Sequence, residues 1–85
     1  MGAQRRFSQF DDLSVEDFAR LLAISKLSSE EKEIAAQCIV WHMNYIDVGV
    51  VVHMDRRTVS RRMEKVILPE LNRMLDRMNR QKAGA

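Results

Sequence analysis

The chain has 85 residues, 46% of them apolar, which is enough for a single domain with one modest hydrophobic core and too few for a two-lobed enzyme. Its single cysteine excludes an intramolecular disulfide framework, and no apolar run approaches the length of a membrane span, so we expect a cytoplasmic protein without membrane association. The net charge of +2 hides a polarity, because residues 1–52 carry five Lys/Arg and eight Asp/Glu (−3), whereas residues 53–85 carry nine and four (+5).

The N-terminal part of the chain predicts one amphipathic helix after an aperiodic segment. Residues 1–12 show no helical period, and we expect them to be mobile, apart from core contacts of the two phenylalanines. Ser14 precedes Asp17 by three residues, which is the spacing of a helix N-cap, and apolar residues follow at helical spacing. These signals predict a helix over residues 14–26.

A second capping signal begins the next helix. One of two adjacent serines precedes a first turn that is rich in acidic residues, as the positive end of a helix dipole favours. Ile34, Cys38 and Trp41 then recur at helical spacing. The pattern predicts a helix over residues 29–43 with these three side chains on its apolar face.

The segment "NYIDVGVVVHM" is ambiguous between a helix and a strand. Its valine and isoleucine content favours a strand, which together with the two following helices would resemble a ribbon-helix-helix repressor. A single strand has no partner in an otherwise helical chain, however, and Asn44 is a good cap for a helix over residues 45–52. Gly49 inside so short a helix is costly, and a second helix crossing closely there would explain it. We therefore favour the helix.

The stretch "DRRTVSRRMEK" places five cationic side chains in one short helix, predicted over residues 56–67 with Asp55 as its N-cap. This order of charges is unfavourable, because arginines in the first turn meet the positive end of the helix dipole. Arg57, Arg61 and Lys65 also follow at intervals of four, where like charges repel by about a few tenths of a kcal/mol per pair. The arrangement indicates an anionic partner outside the chain.

A helical wheel separates two faces of this arginine-rich helix. Val59, Met63 and Val66 share the inner face, and most of the cationic side chains point outward. The alternative to an anionic partner is a solvated surface on which Glu64 pairs with one of the arginines.

Pro69 is well placed as the first residue of a final helix, where its missing N–H is harmless. We therefore expect an all-α fold with a single domain over residues 13–80 and a mobile tail over residues 81–85. The fold has four to five short helices, predicted over residues 14–26, 29–43, 45–52, 56–67 and 69–80.

The third and fourth predicted helices resemble a helix-turn-helix, in which a tight turn joins two helices and the second one is cationic. The stretch "IDVGVVVHMDRRTVSRRMEKVI" is similar to the bipartite motif of sigma-factor region four and of small phage and bacterial transcriptional regulators, with Gly49 at the small-residue position. The similarity covers residues 27–68. His53 stands where the family usually has glycine, which predicts either a wider turn or a left-handed backbone. The apolar positions of the motif correspond to Val48, Val52, Met54 and Val59.

The resemblance implies that the fourth helix enters the major groove of double-stranded DNA, where arginine can donate two hydrogen bonds to guanine. The charge polarity of the chain supports this interpretation independently. We therefore expect a sequence-specific DNA-binding transcriptional regulator. The implied DNA-contacting residues are Arg56, Arg57, Thr58, Ser60, Arg61, Arg62 and Lys65, of which Arg62 and Lys65 point sideways towards phosphate.

One recognition helix reads only a few base pairs, so the resemblance also implies a homodimer. Leu71, Leu75 and Met78 on the last helix are the first candidates for pairing, and the alternative for them is packing on the first helix within one subunit. Ile46 and Val50 form a second candidate surface. That pair would also serve a different function, in which the chain is a phage-type adaptor or inhibitor that docks on RNA polymerase or another protein.

Catalysis has no support in the sequence. The chain lacks a glycine-rich phosphate loop and a nucleophile motif, so we expect it not to be an enzyme. Cys38 and His42 lie four residues apart, but a structural zinc site requires four ligands, and no second pair is present. We expect no metal and no cofactor.

Overall fold

The computed structural model describes residues 7–84, and side chains through residue 81. It contains a short 3-10 turn and five α-helices, two of which continue into a π-helical turn. No strand occurs in this part of the chain, so the predicted all-α fold is confirmed and the ribbon-helix-helix alternative fails. The elements are the 3-10 turn Ser8–Phe10, α1 (Val15–Ile24), α2 (Ser29–Ala35) with the π turn Ala36–Val40, α3 (Tyr45–Val52), α4 (Arg56–Arg62) with the π turn Met63–Ile67, and α5 (Leu68–Gly84).

The predicted capping residues begin three of the helices. Ser14, Ser28 and Asn44 each accept a hydrogen bond from the backbone N–H three residues later, at 3.0, 3.2 and 2.8 Å. The carboxylate of Glu31 in turn accepts a hydrogen bond from the backbone N–H of Ser28 at 3.0 Å, which completes a capping box. Local side-chain chemistry therefore sets the starts of α1, α2 and α3.

α4 and α5 form one continuous helix, which corrects the prediction of a separate helix that starts at Pro69. In a regular α-helix the ring of Pro69 would clash with the carbonyl of Lys65, four residues earlier. The π turn Met63–Ile67 avoids this clash by widening the helix, and the N–H of Leu68 donates to the oxygen of Met63, five residues back. The proline therefore changes the helical geometry instead of ending the helix.

The same π turn changes which residues face the core. Val59, Met63, Ile67 and Leu71 are fully buried, at steps of four residues. In a straight α-helix, residues four apart differ in direction by about 40° around the helix axis. The wider turn reduces this rotation. Val66, predicted on the inner face, is 41% exposed instead.

The core lies between α1, α2 and the long α4–α5 helix, with α1 packed against α5. Phe10 from the 3-10 turn packs edge-to-face on Phe18 of α1, with ring centroids 5.6 Å apart. Both rings are buried, so this part of the predicted segment 1–12 belongs to the core. The first six residues of that segment lie outside the described residues, as does residue 85 of the predicted tail, and α5 continues to Gly84.

α2 ends earlier than predicted. Its π turn stops at Val40, and His42 takes a left-handed backbone conformation with φ of 57°. Ile34 and Cys38 are buried as expected, but Trp41 lies beyond the helix end and is 70% exposed. The predicted position of Trp41 on the apolar face is therefore wrong.

The turn between α3 and α4 depends on Gly49 and His53. His53 ends α3 in the left-handed region with φ of 59°, which confirms one of the two predicted solutions for this turn. The N–H of Met54 donates to the oxygen of Gly49 at 2.8 Å. A Cβ at Gly49 would overlap the carbonyl oxygen of Met54, so only glycine fits where the chain passes over α3.

Replacing Gly49 with alanine should lower the free energy of unfolding by about 1–3 kcal/mol, because the obstructing atom belongs to the backbone and cannot rotate away. Urea unfolding followed by circular dichroism measures the change. Val50→Ala is the matched control, since the neighbouring Val50 side chain is exposed and its truncation should leave stability within about 0.5 kcal/mol. Equal stability of Gly49→Ala and wild type would contradict the close approach.

Candidate nucleic-acid interface

α4 is held by its buried side and presents its polar side to solvent. Asp55 begins the helix through its backbone oxygen, which accepts the N–H groups of Thr58 and Val59 at 2.9 and 3.1 Å. The carboxylate of Asp55 makes no capping bond, unlike the side chains that begin α1, α2 and α3. Val59 and Met63 are fully buried, so the orientation of α4 is set by packing.

The outer face of α4 and of the π turn that follows it carries cations for which the described residues supply no carboxylate partner. Arg56, Arg57, Arg61 and Lys65 are exposed, and across residues 7–84 no carboxylate lies within 4.0 Å of their charged nitrogens. Within residues 7–84, Glu64 forms no ion pair with an arginine, and it accepts a hydrogen bond from the Ser60 hydroxyl at 3.3 Å. The arrangement differs from the solvated, charge-paired face that was the alternative.

Arg62 has a different environment from the other cations of the helix. Its Nη1 donates to Oε2 of Glu31 on α2 at 3.2 Å, and both side chains are partly buried. The pair connects α4 to α2 across the domain. The structure therefore gives Arg62 a partner within the chain, which differs from its predicted position towards phosphate.

The two hydroxyl residues of the predicted interface flank the cationic face. Thr58 and Ser60 are half-buried. Ser60 lines a broad open groove between α4 and the segment that joins α2 to α3. Arg57, Arg61, Met43 and Ile46 also line this groove. The candidate interface therefore combines cationic side chains with hydroxyl and apolar groups.

The two candidate partner surfaces differ in accessibility. Ile46 and Val50 on α3 are 56% and 72% exposed, as predicted. Leu71 is fully buried, and Leu75 and Met78 pack against the same core. This corrects the prediction that the three residues are the first candidates for pairing between subunits. The apolar stripe of α5 serves packing within one chain, which was the alternative for these residues.

A second, smaller hollow lies on the other flank of the long helix, and the sequence analysis missed it. Lys26, Lys65 and Arg73 line it together with Val66 and Pro69. Lys65 also lines the broad groove, so it borders both surfaces. Lys26 sits between α1 and α2, and no local sequence signal places it beside α5.

The described residues contain no group of three or more His, Cys, Asp and Glu side chains that could hold a metal ion. Cys38 is buried in the core. None of the helices in residues 7–84 has the length and apolar character needed to cross a membrane.

Comparison of the chain with protein-family models, with curated proteins and with solved structures gives no significant match.

Replacing Arg57 with alanine should leave stability unchanged or raise the free energy of unfolding by about 0.3–0.5 kcal/mol, because repulsion by Arg61 and by the helix dipole is removed. Arg62→Ala is the matched control and should destabilise the domain, since it removes the ion pair to Oε2 of the half-buried Glu31 carboxylate. Urea unfolding at low and high salt measures both. Destabilisation of Arg57→Ala by more than about 1 kcal/mol would show that Arg57 supports the fold.

Proposed function

We propose that the chain is a sequence-specific, double-stranded DNA-binding protein that acts as a small transcriptional regulator of phage or bacterial type. In this proposal α4 enters the major groove. The observation that carries it is the set of cations, without a carboxylate partner among the described residues, on the outer face of a helix that is anchored by buried residues and by a glycine-dependent turn. The sequence resemblance to region-four-type helix-turn-helix motifs supports the same function.

Electrostatics favours an anionic partner at this surface. Arg56 and Arg57 lie in the first turn of α4, where the helix dipole opposes positive charge, and that turn contains no acidic residue. A phosphate backbone would offset this repulsion, and release of its condensed counterions would contribute to affinity. The arrangement that disfavours the free helix is thus the one that favours complex formation with DNA.

The proposal gives individual roles to the residues of α4. Arg57 and Arg61 are one turn apart on the outer face and would read base edges, with about 1–3 kcal/mol of discrimination for each two-bond contact to guanine. Thr58 and Ser60 flank them and would bond to bases or phosphates. Lys65 would contact phosphate, whereas Arg62 would keep its ion pair with Glu31 and orient the helix.

Specific binding by one short helix normally requires two copies on paired half-sites. The burial of Leu71 leaves the exposed Ile46 and Val50 as the better candidates for the dimer contact. They lie on α3, the helix that precedes α4.

The test of DNA binding is fluorescence anisotropy with random-sequence duplexes over a range of salt concentrations. We expect log affinity to fall linearly with log salt for the wild type. The double variant Arg57→Ala, Arg61→Ala should bind more weakly, with a slope shallower by up to about 1.8 if both side chains contact phosphate in non-specific complexes.

The matched control is Arg77→Ala, Arg80→Ala, which removes the same charge from α5, away from the broad groove. This variant should keep the wild-type slope. No binding by the wild type at low salt would exclude the proposed function. Equal losses of affinity in both variants would show that binding depends only on the net charge of the protein.

A second candidate function is supported by the exposed pair Ile46 and Val50. Adjacent apolar side chains at this exposure suit a protein contact, so the chain would act as an adaptor or inhibitor, for example on bacterial RNA polymerase. The variant Ile46→Ser, Val50→Ser should then lose binding to purified RNA polymerase and retain DNA binding. The Arg57 and Arg61 double variant should show the reverse behaviour, and loss of neither interaction in either variant would contradict both functions.

A further inference from the structure

The hollow on the second flank of the long helix brings together three cations from separate parts of the chain. Lys26 comes from the connection between α1 and α2, Lys65 from the π turn after α4, and Arg73 from α5. Glu70 is the one carboxylate that lines this hollow. The four side chains therefore carry a local charge of +2.

Hydrogen bonds to Glu70 fix this arrangement. The Arg73 guanidinium donates to Oε1 of Glu70 at 2.8 Å, and the backbone N–H of Lys26 donates to Oε2 at 2.8 Å. The bond from Arg73, followed by the bond from Lys26, lowers the pKa of the Glu70 carboxyl below its ordinary value, because both bonds favour the ionised form. Glu70 thus acts as an anchor that holds the Lys26 backbone against α5.

The side chain of Lys26 takes no part in this anchor. Only its backbone N–H is bonded to Glu70, and the residue is exposed. Arg73 also remains accessible beside its ion pair, with 47% of its side chain exposed. The backbone of Lys26 and the guanidinium of Arg73 are therefore held in place, and both side chains keep exposed surface that can bind a partner.

The long helix connects the cationic face of α4 to this hollow. Arg56 and Lys65 are separated by nine residues, or about 13 Å along a helix axis. The major groove of B-DNA is about 12 Å wide, so a helix that enters it by its N-terminal turns reaches the phosphate backbone near Lys65. The hollow begins at Lys65 and continues along the same helix.

We propose that Lys26 and Arg73 bind the phosphate backbone of duplex DNA and extend the contact surface of α4 beyond Lys65. The inference rests on the proposed function and adds a partner contact from outside the helix-turn-helix segment. Contacts of this kind position a protein on the duplex and carry no sequence information. The base-reading residues lie on α4, whereas these added phosphate contacts come from the connection between α1 and α2 and from α5.

The experiment compares Lys26→Gln with the wild type by fluorescence anisotropy on several duplexes of unrelated sequence. Loss of one phosphate contact should reduce the slope of log affinity against log salt by about 0.9, equally for all sequences. Lys26→Arg should restore the wild-type slope, because it restores the charge. Adding Arg73→Gln to Lys26→Gln should reduce the slope further, with urea unfolding used to verify that the double variant is folded.

The matched control is Arg20→Gln, which removes one exposed charge from α1 at a position that lines neither the groove nor the hollow. It should retain the wild-type slope. A wild-type slope for Lys26→Gln, together with a reduced slope for the Arg57 and Arg61 double variant, would overturn this inference alone. No DNA binding by the wild type would overturn the proposed function and the inference with it.

Discussion

The close passage of the chain over Gly49 is the constraint on which the rest of the structure depends. Because the glycine has no side chain, the backbone of Met54 can approach α3 and the chain can turn into α4 within three residues. That turn allows Val48 and Val59 to be buried in the same core. With its apolar stripe directed inward, α4 has only one orientation, and Arg56, Arg57 and Arg61 face solvent.

The charge distribution on α4 lowers the stability of the free domain and favours the function proposed for this helix. A helix that served only the fold would have acidic residues in its first turn, as α1 and α2 do. α4 has arginines there and no side-chain cap. The domain tolerates this arrangement because Val59 and Met63 anchor the helix from the other side, and hydrophobic burial is worth more than the repulsion of exposed charges. Under the proposed function, the phosphates of bound DNA offset the repulsion of these arginines.

Two π turns explain most of the differences between prediction and structure. The helical wheel assumes a constant rotation per residue, and both turns break that assumption. Within the turn Met63–Ile67, Ile67 is buried and the predicted Val66 is not, and the helix continues through Pro69. After Ala36–Val40 the helix stops, and Trp41 falls outside the core. The turn Met63–Ile67 accommodates Pro69, an effect that a helical wheel with constant rotation does not include.

The sequence by itself determined the all-α fold, the starts of α1 to α4 and the need for glycine at position 49, because caps, apolar period and backbone sterics act between neighbouring residues. It also indicated the cationic character of α4. Only the tertiary structure decided that Arg62 pairs with Glu31, that Leu71 is buried, and that Lys26 lies beside α5. These contacts join residues far apart in sequence, so they exist only once the helices have packed.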